Sequence, residues 1–129
     1  MFILYFGGQK SGKSKLAEKK AIELAAKTHK KPFYIATYDD TYFDNEMKKR
    51  VSSHKKQRKN NFNTIEETLD LPKVIKKDET YLVDCLSMWI LNNINHDNKV
   101  LFKQIKKLKK LNANIIFVLN DVNNGVIPM

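Results

Sequence analysis

The chain has 129 residues, 42% hydrophobic and 29% charged, which fits one domain with its own core and excludes both a second independent core and a solvated, disordered chain. Lysine and arginine number 24 against 14 aspartate and glutamate, a net charge of +10, yet only Arg50 and Arg58 carry the guanidinium fork that nucleic-acid interfaces favour, so nucleic acid is not expected as a partner. The single cysteine, Cys85, excludes an internal disulfide and a thiolate zinc cluster, and without a secretory leader or an apolar run of about 20 residues a cytoplasmic protein with no membrane span is expected.

Phe2 to Phe6 form a short apolar run, followed by Gly7-Gly8-Gln9-Lys10-Ser11-Gly12-Lys13-Ser14 and then by Leu16, Ala17, Ala21, Leu24 and Ala25 at helical spacing. The order is strand, glycine-rich loop, helix. Lys31-Pro32 ends that helix, and residues 33–37 read as a second buried strand. Residues 39–44 are turn-like, and 46–59 are highly charged with only Met47 and Val51 as apolar anchors, the pattern of a surface helix with a narrow contact stripe. Residues 64–66 suggest a short strand, and 69–74 a turn or a short helix broken by Pro72. A strand over 79–83 runs into Asp84, helices are expected over 86–94 and 100–111, and residues 114–119 form a continuous apolar run typical of a parallel strand covered on both faces. Leu101, Ile105, Leu108 and Leu111 should face inward from a lysine-rich helix. Strands alternating with helices predict an α/β sheet. The chain stops at Gly125 to Met129, before any helix that could follow this strand, so its sheet face is expected to lack cover and the stability to be marginal.

Gly7 to Ser14 fits the phosphate-loop pattern G-x-x-x-x-G-K-[ST] at every defined position, between the strand and the helix it requires. Its amides would point at phosphate, Lys13 would reach the β and γ phosphates, and Ser14 would hold magnesium. Asp84, at the end of an apolar strand, is where such a protein places its acidic metal-holding residue, and it is also placed to cap the helix that follows; the two roles are compatible. His54 lies among Lys48, Lys49, Arg50, Lys55, Lys56, Arg58 and Lys59, which favour its neutral, nucleophilic form and would attract a triphosphate. An exposed histidine in a charge run is also commonly just a solvated side chain. His29 and His96 lie near helix ends with no assigned chemistry, and Cys85 and Trp89 are expected in the core.

Taken in order, the blocks GGQKSGKS, YIAT, DNEMKKRVSSH, VDCLSMW and NDVNNGVIP resemble the adenosylcobinamide kinase and adenosylcobinamide-phosphate guanylyltransferase family of cobalamin biosynthesis. The resemblance implies a P-loop NTPase-like, mainly parallel sheet flanked by helices. It also implies two activities: phosphorylation of adenosylcobinamide by a nucleoside triphosphate, and transfer of GMP from GTP to the resulting phosphate through a guanylylated His54. By the same resemblance the nucleotide is bound by Gly7, Gly8, Gln9, Lys10, Ser11, Gly12, Lys13 and Ser14, by Thr37, Tyr38 and Asp39, by Lys55, Lys56, Gln57 and Arg58, and by Glu66 and Asp84. Magnesium at Ser14 and Asp84, GTP and ATP as substrates, and a homotrimer complete the expectation. Family members continue past the NDVNNGVIP block and carry an acidic residue where Met129 stands. The last helices and strands of the family fold are therefore expected to be missing, leaving residues 1–129 as a single, C-terminally incomplete domain. Two further readings stay open on the residues alone: a different P-loop small-molecule kinase, which gives His54 no task, and an inactive fragment that binds nucleotides or polyanions.

Overall fold

In the computed structural model the short apolar runs become strands and the periodic segments between them become helices. The structure describes residues 1–7, 12–37, 60–94 and 97–120, together with Asn45, Lys49 and Lys56. Strands β1 (Phe2–Gly7), β2 (Phe33–Ala36), β3 (Asn63–Glu66), β4 (Thr80–Asp84) and β5 (Asn114–Asn120) are joined by helices α1 (Lys13–Ala26), α2 (Leu71–Val74), α3 (Leu86–Ile94) and α4 (Asn98–Lys110). The strands form one sheet in the order β1-β5-β4-β2-β3, and every pair is parallel. This is the α/β class expected.

Alternation along each strand supplies two cores, one per sheet face. On one face Ala17, Ala21 and Leu24 of α1 pack on Tyr34, Ala36, Leu82, Ile116 and Val118, with Phe62 alongside. Ala17, Ala21 and Ala25 are at most 1% exposed; their small side chains let the helix lie close to the sheet. On the other face Trp89, Leu101, Leu108 and Leu71 cover Ile35, Tyr81, Val83, Ile115 and Phe117. Trp89 also donates from its indole nitrogen to the Leu69 carbonyl at 2.9 Å, so truncation to alanine would cost about 3–5 kcal/mol. Cys85 and Trp89 are in the core, as expected.

Three expectations are corrected. The strand at residues 114–119 is not left uncovered: β5 lies between β1 and β4, and Ile115, Ile116 and Val118 are 1% exposed or less. A strand's place in the chain does not fix its place in a parallel sheet, because crossover connections insert later strands between earlier ones. Exposed apolar side chains occur instead on edge strand β1, at Phe2, Leu4 and Phe6, and on helices, at Leu16, Ile94 and Phe102 among others. Pro72 does not break a helix but sits in the first turn of α2, where its missing N–H would have had no intrahelical partner. The last helix begins at Asn98, since the Asp97 carboxylate caps it by accepting from the Lys99 amide at 2.9 Å. Asn45, Lys49 and Lys56 are helical and exposed; the other residues of the expected surface helix over 46–59, Met47 and Val51 among them, lie outside the described residues.

Candidate nucleotide and metal site

Because all strands run the same way, their carboxyl ends share one edge of the sheet, the edge at which open α/β folds bind ligands. β1 delivers Gly7 to this edge, and the chain re-enters described structure at Gly12, which precedes α1 with φ 77°. Nothing lies within 4 Å of the place a Cβ would occupy. The glycine is therefore demanded by its left-handed backbone and not by crowding. No described side chain caps the start of α1, and its first turn holds no acidic residue. First-turn amides of a helix lack intrahelical partners, and with the helix dipole they suit an anion. Lys13 and Ser14 are in this turn.

Asp84 ends β4 on the same edge and, by register with Ala36 and Val118, on the α1 face of the sheet. One strand, β5, separates β4 from β1, so the two strand ends lie roughly 10 Å apart. The Asp84 carboxylate is half-buried, and its Oδ2 accepts a hydrogen bond from the Tyr34 hydroxyl at 2.6 Å. A single partly buried carboxylate suits magnesium, which favours oxygen ligands and is usually held by one or two carboxylates, phosphates and water. Among the described residues no group of three or more histidine, cysteine, aspartate or glutamate side chains forms a metal cage.

Thr37 lies just past β2 and is fully buried. Its hydroxyl donates to the Cys85 carbonyl at 2.8 Å and accepts from the Cys85 amide at 3.0 Å. The chain segment after Asp84 is thereby clamped to the end of β2. Asn92 of α3 extends the clamp, donating from Nδ2 to the carbonyls of Thr37 at 3.0 Å and Thr68 at 2.9 Å. Glu66 ends edge strand β3, exposed, at the opposite end of the same edge from Gly7. Four strand spacings put these ends about 19 Å apart. The structure thus brings Gly7, the start of α1, Asp84, Thr37 and Glu66 to one edge. Lys56 is helical and exposed. Gly8, Gln9, Lys10, Ser11, Tyr38, Asp39, His54, Lys55, Gln57 and Arg58 lie outside the described residues, as do the side chains of Lys13 and Ser14.

Sequence reasoning missed Tyr34 and Asn92. Tyr34 stands in the YIAT block and reads as strand core; only the β2–β4 register reveals that it reaches Asp84. Asn92 carries a signal, since with Asn93 it interrupts the buried side of α3 three and four residues after Trp89.

The profile of the family described as cobinamide kinase / cobinamide phosphate guanyltransferase matches residues 3–129. The chain belongs to this family. Among its relatives, the bifunctional adenosylcobalamin biosynthesis protein CobP of Pseudomonas aeruginosa is 33% identical over 135 residues, covering 98% of this chain and 75% of that protein. The bifunctional adenosylcobalamin biosynthesis protein CobU of Escherichia coli is 26% identical over 150 residues, covering 99% of this chain and 79% of the relative. The expected cobinamide kinase and guanylyltransferase family is therefore confirmed, and an unrelated small-molecule kinase is set aside. Cobinamide compounds and nucleoside triphosphates fit as substrates of the family. No described helix is long and apolar enough to cross a membrane.

Proposed function

We propose that this chain carries out both activities of its family, phosphorylating adenosylcobinamide with ATP or GTP and then transferring GMP from GTP to the new phosphate, with His54 as the covalent carrier. The observation that carries this reading is the placement of Asp84 on the same sheet face and edge as the start of α1, where the G-x-x-x-x-G-K-S sequence ends. The family match over residues 3–129 supports it and supplies the substrates.

In the kinase step the loop amides and Lys13 hold the β and γ phosphates while the acceptor hydroxyl attacks the γ phosphorus in line. The nucleoside diphosphate leaves with the bridging oxygen, and the hydroxyl proton passes to solvent or a nearby base. Ser14 and Asp84 would hold magnesium, whose charge offsets that of the phosphates. In the transfer step a neutral His54 nitrogen attacks the α phosphorus of GTP, forming a phosphorus–nitrogen bond as pyrophosphate departs. A phosphate oxygen of adenosylcobinamide phosphate then attacks the same phosphorus and releases the histidine. Lys55, Lys56 and Arg58 neutralise charge around the α phosphate, with Gln57 among them. Tyr38 and Asp39, next in sequence to Thr37, contribute to nucleotide binding, and Glu66 accepts hydrogen bonds from guanine. A homotrimer is part of this proposal.

The test is product formation. Purified protein with magnesium, GTP and adenosylcobinamide should yield adenosylcobinamide phosphate and then its GDP derivative by mass spectrometry. Lys13→Ala should slow the kinase step by on the order of 100-fold, the effect of deleting one charge-stabilising donor. Wild-type GTP affinity and rate in that variant would remove the phosphate-loop assignment.

A further inference from the structure

We propose that Tyr34 is a positioning residue for metal binding: its phenol fixes the Asp84 carboxylate so that Oδ1 is presented to the ion. The inference rests on the reading of Asp84 as the metal-holding carboxylate.

Tyr34 is 3% exposed, with its ring packed edge-on against Phe62 at a centroid distance of 6.1 Å and an angle of 79°. The α1 core cluster, with Ala17 and Ala21, holds the same side chain. A ring so confined has little freedom to swing, and its hydroxyl reaches Oδ2 of Asp84 at 2.6 Å. That distance is at the short end of the range for O–H···O hydrogen bonds. The register explains the reach: Ala36 is opposite Asp84, and Tyr34, two residues earlier on β2, lies on the same face.

The backbone around the carboxylate is held independently. The Thr37 amide donates to the Asp84 carbonyl at 3.4 Å, and the Thr37 hydroxyl binds both polar groups of the Cys85 backbone. Thr37 therefore fixes where the Asp84 backbone sits, and Tyr34 fixes how its carboxylate is turned. Outer partners of this kind orient metal-holding groups and strengthen binding at a site with few protein ligands. A tyrosine needed only to fill the core would not require its hydroxyl at this carboxylate; phenylalanine would fill the same space.

The test compares Tyr34→Phe and Asp84→Asn with wild type. Manganese binding is followed by electron paramagnetic resonance in the presence of a GTP analogue with a non-hydrolysable β–γ bridge, and analogue affinity is measured separately without metal. Tyr34→Phe should weaken manganese binding about tenfold while leaving metal-free analogue affinity and the thermal midpoint close to wild type. The apparent KM for magnesium in the kinase reaction should rise by the same factor, with kcat recovered at saturating metal. Asp84→Asn should lose manganese binding. If Tyr34→Phe binds manganese normally while Asp84→Asn does not, Tyr34 is a core residue and the proposal is overturned. An equal loss of metal-bound and metal-free analogue affinity in Tyr34→Phe overturns it too, since that marks general loosening. If Asp84→Asn retains manganese, the metal reading of Asp84 fails and the role of Tyr34 fails with it.

Discussion

Tyr81 is 1% exposed, and its hydroxyl accepts a hydrogen bond from the Lys76 amide at 2.7 Å. Burial pushes its phenol above the ordinary tyrosine pKa; the Lys76 amide pulls it partly back, and the Glu79 carboxylate adds to the rise. The unfolded chain therefore ionises first as pH increases. The stability contributed by the neutral phenol is complete below the unfolded pKa of about 10 and is lost as pH climbs through the higher folded value. Tyr81→Phe removes this titration and, at all pH values, the hydrogen bond from Lys76. Urea midpoints should show the wild type ahead near pH 9 and the gap closing toward pH 11; a gap constant across that range would contradict the burial effect. The phosphate loop and Asp84 could be read at this scale because glycine, lysine, serine and a strand-ending aspartate carry their chemistry in their type and spacing. The hydrogen bonds of Tyr34 and Thr37 could not, because their hydroxyls act on partners 50 and 48 residues away.

At the scale of elements, α3, α4 and the start of α2 are locked by a buried amide network. Gln104 donates from Nε2 to Oδ1 of Asn93 at 2.9 Å and accepts from the Leu71 amide at 3.1 Å. Asn93 in turn donates to the carbonyls of Leu69 and Trp89. Gln104→Leu keeps a side chain of similar bulk but strands the Leu71 amide and the Asn93 oxygen. Each buried group left unpaired costs about 1–3 kcal/mol, so for the two together a loss of about 2–6 kcal/mol is expected in the unfolding free energy. A denaturant titration within 0.5 kcal/mol of wild type, well below this estimate, would show that the network is not needed. The apolar stripe of α4 was legible: Leu101 and Leu108 are buried, and Ile105 and Leu111 pack against that core. Gln104 lies on the same stripe, three residues after Leu101 and four before Leu108, but a glutamine in a lysine-rich helix reads as solvent-facing unless that spacing is given priority over polarity.

Across the whole molecule, periodicity predicts that β5 is a buried parallel strand but says nothing about which strands flank it. The order β1-β5-β4-β2-β3 decides what the site can do. It brings the start of α1 and Asp84 to one face with a single strand between their strand ends, and sets Glu66 about 19 Å from Gly7 along the same edge. The start of α1 and Glu66 thus stand toward opposite ends of this edge. Attack at the γ phosphorus needs no protein nucleophile. Transfer of GMP through a covalent carrier does, and His54 is the residue proposed for it. The decisive measurement is incubation of the protein with magnesium and GTP labelled at the α phosphate, followed by acid and alkali treatment of the denatured chain. The label should be retained in alkali and released in acid, since a phosphorus–nitrogen bond breaks once its nitrogen is protonated, and it should be absent from His54→Ala, which should still phosphorylate adenosylcobinamide. Label persisting on a His54→Ala protein with the wild-type thermal midpoint would contradict the assignment and place the nucleophile elsewhere in the chain.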